Sequence, residues 1–383
     1  MALPLLCELL TLKNGFIKCK FVSVIIIILK ILLASILPIQ KQSSWSGINI
    51  RIYQQLSKNH TIYTCYSPLA YKTQKTWSLF SHYRHKLFGV RNNVYFNKLV
   101  SIIYVRALKK SIKKYKPDLL LVLGSGSELY AYKPHCPSYL VADANFYLLK
   151  DNYKVYTALS NYGVRESKNV EYKSLENYTR IFYSSDWTLL STASHYPHYK
   201  DKLRRINFSS NLLQQELVQL SLPKTLEKIK LLSVGTDYHR KGMDLSQQLA
   251  EKLGCNLLVI GTSLKLSKEN KEEVSKLIDF YKSSHFLIQL SRADCTPIVI
   301  NEANSFGLPV ITTNVGGISS QINNGVNGYM VKNVKEAHQK IKEICSDPKA
   351  YLKLRRTSFK HYVQNLSWDK FEDTIIAEFE CTK

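Results

Sequence analysis

Short runs of consecutive apolar residues recur along the chain, separated by stretches whose apolar positions fall at helical spacing. The runs LLLVL at 119–123, IKLLSV at 229–234, NLLVI at 256–260, FLIQL at 286–290 and PVITT at 309–313 predict strands. Between them, 244–253 and 272–281 read as amphipathic helices. Alternation of this kind predicts an α/β fold with parallel sheets covered by helices. The segment 21–39 (FVSVIIIILKILLASILPI) is the one stretch that raises a membrane span. Lys30 at its centre costs roughly 2.5–3.5 kcal/mol for insertion. A buried parallel strand accounts for the same β-branched run, and a strand near 30–37 is the reading taken here; a transmembrane anchor at 21–39 is the alternative. No small-residue cleavage site follows, which argues against a signal peptide.

Pro223 and several lysines interrupt the apolar pattern at 221–228 (SLPKTLEK). At 383 residues the chain is long enough for two cores. The pattern therefore predicts an N-terminal extension over 1–22, a Rossmann-like domain over 23–220 and a second over 221–366. Two doubly wound domains place their ligand in the cleft between them, at the carboxyl ends of the strands.

Composition narrows the partners. Lys and Arg number 53 against 29 Asp and Glu, a net charge of +24, which calls for anionic partners such as nucleic acid, acidic lipid or phosphorylated substrates. No aromatic-interleaved basic motif of the kind that reads RNA is present, so a nucleic-acid-binding protein is the weaker reading. The 8 Cys are scattered without C-x-x-C spacing and the 10 His form no H-E-x-x-H. Neither a metal site nor a cofactor is expected, and a reducing cytosol is the natural setting.

The densest chemistry lies in 294–317, DCTPIVINEANSFGLPVITTNVGG. Thr296 suits a helix N-cap and Pro297 the first helical turn, while Gly307 and Pro309 stop the helix, predicting a helix over about 297–306. Asp294 then precedes the helix and Glu302 lies roughly 7–8 Å along its axis, a separation suited to gripping two ends of one sugar nucleotide. A bare D-x7-E pattern would more often be a loop Asp and a surface Glu. A second cluster, VGTDYHRKGMD at 234–244, follows a strand and opens a helix, where anions bind. Arg240 can fork onto phosphate oxygens and Lys241 can supply a point charge; alone, an Arg-Lys pair in so basic a chain reads as solvated loop.

Together these segments resemble the donor site of the retaining GT-B glycosyltransferases of the glycosyltransferase group 1 type. That family carries E-x7-E, then F-G-x-P-V-I, a strand and a Gly-Gly turn. Here Asp294 stands for the first Glu, followed by Glu302, Phe306-Gly307-Leu308-Pro309-Val310-Ile311 and Gly316-Gly317. Asn324-Gly325-Val326-Asn327-Gly328 is similar to the family's D-G-x-N-G turn, and 234–244 to V-G-x-x-x-x-R-K-G-x-D, with Thr236 where many relatives have Arg. The resemblance implies two Rossmann-like domains facing a central cleft, with a nucleotide-sugar donor in the C-terminal one. Arg240 and Lys241 would stabilise the diphosphate, Asp294 would contact the transferred sugar and Glu302 the ribose, with Gly235, Gly316 and Gly317 lining the donor and no metal required. It further implies a C-terminal helix over 367–383 that returns to the N-terminal domain.

The N-terminal half is less specific. Gly47 is the candidate for the family's glycine-containing first loop, and Asp143 resembles the acid of its interdomain D-x-T-F segment; a turn glycine and a capping Asp are the plain alternatives. Ser184-Ser185-Asp186-Trp187 looks like the family's S-S-x-W strand end and reads as structural. Arg292 is a further donor-site candidate. The basic stretch 97–116, carrying Lys109, Lys110, Lys113 and Lys114, reads as a crossover helix with a solvated face or as a surface docked on anionic membrane. The expected reaction is glycosyl transfer to a glycan or lipid-linked acceptor in cell-surface glycan synthesis, at the cytoplasmic face of the membrane. A GT-B-fold epimerase or phosphorylase is the rival.

Overall fold

The computed structural model of the chain describes residues 28–42, 44–261 and 271–382. The extension 1–22 and the first part of the apolar segment 21–39 lie outside them. The N-terminal sheet comprises β1 (Lys30–Ala34), β2 (Thr61–Cys65), β3 (Leu119–Leu123), β4 (Ser138–Ala142), β5 (Arg180–Tyr183) and β6 (Leu203–Arg205), in the order β2-β1-β3-β4-β5-β6. The C-terminal sheet comprises β7 (Lys230–Val234), β8 (Asn256–Ile260), β9 (Phe286–Gln289), β10 (Val310–Thr313) and β11 (Gly328–Val331), in the order β11-β10-β9-β7-β8. All strand pairs are parallel. Two doubly wound parallel sheets with helices between their strands define the GT-B architecture. Among the described residues no helix is long and apolar enough to cross a membrane.

The strand reading of 30–37 holds, but β1 stops at Ala34. There the Ser35 hydroxyl accepts the Leu37 backbone N–H at 3.2 Å and turns the chain. Within β1 the period of two assigns Ile31 and Leu33 to one face and Leu32 and Ala34 to the other, all four fully buried. Ile31 and Leu33 share one continuous apolar cluster with Leu232 and Leu287 of the second sheet and with Phe371. The core therefore runs through both domains.

The join is completed by the helix Trp368–Glu380, which lies on the N-terminal domain. Ser367 caps it, the Trp368 indole donates to the Ser210 carbonyl at 2.8 Å, and Gln55 donates to both Asp369 and Glu372 at 2.7 Å. Glu378 accepts from Arg180 at 2.8 Å and from Arg204 at 2.5 Å.

Burial opposes ionisation of Glu378, but the two guanidinium groups outweigh it and hold the carboxyl below its ordinary value. A depressed carboxyl contributes stability above the unfolded value, lost as pH falls through the folded one. Glu378→Gln should thus cost about 1.5–3 kcal/mol at pH 7, the range for hydrogen bonds to charged groups. The gap to the parent protein should close on acidification below about pH 4.3, the ordinary Glu value. Thermal unfolding across pH checks this, and a gap independent of pH would refute it.

Candidate active site

In a doubly wound sheet the loops at the point where strand order reverses leave a crevice. Here the reversals fall between β1 and β3 and between β7 and β9. The loops after β1, β4, β7 and β9 face one another across a cleft of about 590 Å3, a size typical of small-molecule sites. Trp45, Asp143 and Tyr153 line one wall; Gly235, Arg240, Lys241 and Asp294 line the other.

Three backbone approaches build the second wall. A Cβ on Gly242, at φ +66°, would sit 1.7 Å from the Leu290 carbonyl oxygen, so only glycine lets the Arg240 loop touch the end of β9. The Arg292 N–H then donates to the Arg240 carbonyl at 2.8 Å. Gly316 and Gly317 do the same from below: a Cβ on either would lie 1.8 Å from the carbonyl oxygen of Asp294 or Cys295. This glycine pair does not line the cleft. It seats the acid loop through the Gly317 N–H donated to the Asp294 carbonyl at 3.2 Å.

On that seat Asp294 is 7% exposed. Lys241 Nζ donates to its Oδ2 at 2.5 Å, the Ser291 hydroxyl reaches the same oxygen at 3.4 Å, and Arg240 Nη1 lies 3.8 Å away. Arg240 is itself aimed by the Ala293 carbonyl at 2.9 Å and by Asp237 at 3.2 Å. Gly235 makes room for Lys241, because a Cβ there would come within 2.9 Å of Lys241 Cγ. Two cations and one carboxylate thus converge on one wall.

Several expected residues sit elsewhere. Arg292 points away from the cleft: its guanidinium forks onto Asp244 with two bonds of 2.7 Å and donates to the His239 carbonyl at 2.7 Å. It braces the Arg240 loop. Thr296 is not an N-cap; its hydroxyl meets Ser184 Oγ at 2.6 Å across the domain junction, Pro297 occupies the cap, and the helix is shorter than expected, Ile298–Asn304. Glu302 lies within that helix, fully buried, with the Tyr281 hydroxyl donated to its Oε2 at 2.9 Å. It does not line the cleft, whereas Ile298 and Val299 of the same helix do. Gly47, at φ +89°, opens the helix Ile48–Leu56 and lines a small hollow beside the cleft with Gln42 and Arg51.

Asp143 lies at the carboxyl end of β4, and its Oδ2 accepts the Trp45 indole N–H at 3.2 Å. Burial pushes its carboxyl up, the Trp45 bond opposes the shift and the nearby Asp294 charge adds to it. Trp45 and Ser46 both adopt left-handed backbone, φ 46° and 55°, which is strained for non-glycine residues and typical of ligand clamps. Tyr153 crosses the cleft: its hydroxyl is 3.1 Å from Cys295 Sγ, and the Arg240 guanidinium lies 5.3 Å from its ring centre. Burial raises both the Tyr153 hydroxyl and the Cys295 thiol well above their ordinary values. Trp45 and Tyr153 carry no sequence signal of a site; Cys295 falls within the 294–317 segment, yet nothing there marks the thiol itself. Ser184–Trp187 packs as a joint, with Ser185 and Trp187 against the Gly316–Gly317 seat.

Residues 215–361 match the family described as Glycosyl transferases group 1. D-inositol 3-phosphate glycosyltransferase 1 of Catenulispora acidiphila is 27% identical over 106 residues, 27% of this chain and 25% of that protein. An uncharacterized glycosyltransferase of Haemophilus influenzae is 25% identical over 180 residues, 41% of this chain and 50% of that one. The chain therefore spans a quarter to a half of the length of these curated relatives. Among solved structures, sucrose-phosphate synthase from Thermosynechococcus elongatus superposes with a TM-score of 0.66 at 15% identity, covering 92% of this chain and all of that one. Anabaena HepE in complex with UDP and glucose gives 0.59 at 13%, again covering 92% and 100%. The fold is that of the GT-B glycosyltransferases. The stretch 215–361, which carries the Arg240-Lys241 loop and the acid loop, is similar to the glycosyl transferases group 1 family.

A raised carboxyl binds its proton more tightly in the folded chain than in the unfolded one. Its contribution to stability is lost as pH rises from the ordinary aspartate value of 3.8 through the raised one. Asp143→Asn removes that cost while its amide oxygen still accepts from Trp45. Its unfolding midpoint at pH 7 should exceed that of the parent protein, and an equal or lower midpoint would count against an ionised, desolvated Asp143.

Proposed function

We propose that the protein transfers a sugar from a nucleoside-diphosphate donor to an acceptor hydroxyl, with retention at the anomeric carbon, in the synthesis of a cell-surface glycan. The observation that carries this reading is the convergence of Arg240 and Lys241 on Asp294 at the wall of a cleft between two switch points. Two neighbouring cations suit a diphosphate whose negative charge grows as the glycosidic bond breaks. In this reading the diphosphate takes Lys241 and Arg240 from Asp294, and the freed carboxylate accepts hydrogen bonds from sugar hydroxyls. Asp143 and Trp45 face the sugar from the opposite wall, where the acceptor enters. Glu302, held by Tyr281, is the residue for the ribose edge. The side-chain cations serve in place of a divalent metal, so activity should persist in chelator. The HepE complex with UDP and glucose supports a nucleotide sugar as donor class.

Replacing Arg240 and Lys241 together by Ala tests the reading. Each charge-assisted contact is worth about 1.5–3 kcal/mol, so turnover should fall by at least about a hundred-fold, and more than donor affinity falls. Near-normal turnover on a folded protein would refute the phosphate role. The rival epimerase or phosphorylase reading separates in the same assay. A transferase releases nucleoside diphosphate in proportion to acceptor; an epimerase releases none, and a phosphorylase needs inorganic phosphate.

A further inference from the structure

The helix Pro68–Phe88 is built inside out. Its buried positions are small or polar, namely Ala70, Gln74 and Ser81. Its bulky apolar residues face solvent: Leu79, Phe80, Tyr83 and Leu87 are 54–73% exposed. At about 100° per residue, Leu79 stands half a turn from Ala70, and Tyr83 and Leu87 follow it along the same face. A surface helix of a water-soluble protein normally shows the opposite polarity. A contiguous apolar ridge of this kind marks an interaction surface.

Charge identifies the partner. Between Glu8 and Asp118 the chain contains no Asp or Glu. Lys72, Lys75 and Lys86 are exposed on the same helix. The neighbouring helix Lys98–Tyr115 packs against it and exposes Lys109, Lys110, Lys113 and Lys114. A second copy of this face would set these cations against their equals. An acidic bilayer complements both features, taking the apolar ridge between its acyl chains and the lysines among its headgroups. The helix carries too many charges to span a membrane.

We infer that Pro68–Phe88 lies in the plane of an anionic membrane, its Leu79–Leu87 ridge inserted at the headgroup boundary and the adjoining lysines as its electrostatic collar. This enlarges the docking surface expected from the lysines at 109–114 alone, and it does not depend on glycosyl transfer.

Flotation of the full chain with vesicles tests it. Parent protein should float with vesicles containing one-third phosphatidylglycerol at physiological salt and stay behind with purely neutral ones. The triple variant Leu79→Ser, Phe80→Ser, Leu87→Ser should lose roughly ten-fold or more in partition coefficient, with unchanged unfolding midpoint and unchanged nucleotide affinity. Lys109→Glu with Lys113→Glu should each cost at least about five-fold, the effect of one cation near an acidic surface. Failure of the parent protein to float, equal binding to neutral vesicles, or a triple variant that floats like the parent would each overturn the proposal. So would self-association of the parent protein, without lipid, that the triple variant abolishes, since the ridge would then belong to a second copy.

Discussion

The ion pair of Lys241 with Asp294 is the contact on which the geometry of the cleft depends. Neither partner reaches the other unless two loops from different strands are held in backbone contact. That contact exists because Gly242, Gly316 and Gly317 lack the Cβ atoms that would collide with Leu290, Asp294 and Cys295. A nearly buried carboxylate would be costly without its cations, and two converging cations would repel without the carboxylate between them. Each therefore stabilises the other. An incoming anion can replace Asp294 without leaving Arg240 or Lys241 unpaired. On the proposed function, a bound diphosphate exchanges partners with Asp294 rather than burying new charge.

The two domains contribute unequally. The C-terminal domain fixes its groups through backbone, with glycine seats and carbonyl contacts that tolerate little change. The N-terminal domain contributes through side chains: the Trp45 indole on Asp143, and Tyr153 against Cys295 and Arg240. The hydroxyl pair of Ser184 with Thr296 and the packing of Trp187 on Gly316 join the two walls.

Much of this was legible in the chain. The apolar runs at 119–123 and 256–260 coincide with β3 and β8, and those at 229–234, 286–290 and 309–313 fall within a residue of their strands; β3, fully buried, shows the uninterrupted hydrophobic signature of a strand covered on both faces. Glycine and proline marked the boundaries of the elements around Arg240, Lys241 and Asp294, but by themselves these residues read as solvated loop, and only the family resemblance singled them out. Thr296 misled because Ser184, over a hundred positions away in sequence, offered its hydroxyl a better partner than the helix N-terminus. Arg292 misled because adjacency to the acid does not fix direction, and Asp244 drew its guanidinium outward. Tyr153 and Cys295 were silent, since their meaning arises only when two domains meet. Periodicity reveals that Pro68–Phe88 has two faces but not which is inside.

The helix Trp368–Glu380 has a bearing on biosynthesis. Its carboxylates complete the polar partners of Gln55, Arg180 and Arg204, all of the N-terminal domain. The ribosome makes that domain first, yet the helix that closes it emerges only after the whole C-terminal domain. For the duration of that synthesis, the apolar surface destined for Trp368, Phe371 and Ile375 stands open beside two half-buried arginines that lack their acid. The packing of the first domain is completed only by residues made after the second, so a nascent chain exposes apolar surface of the kind that chaperones shield.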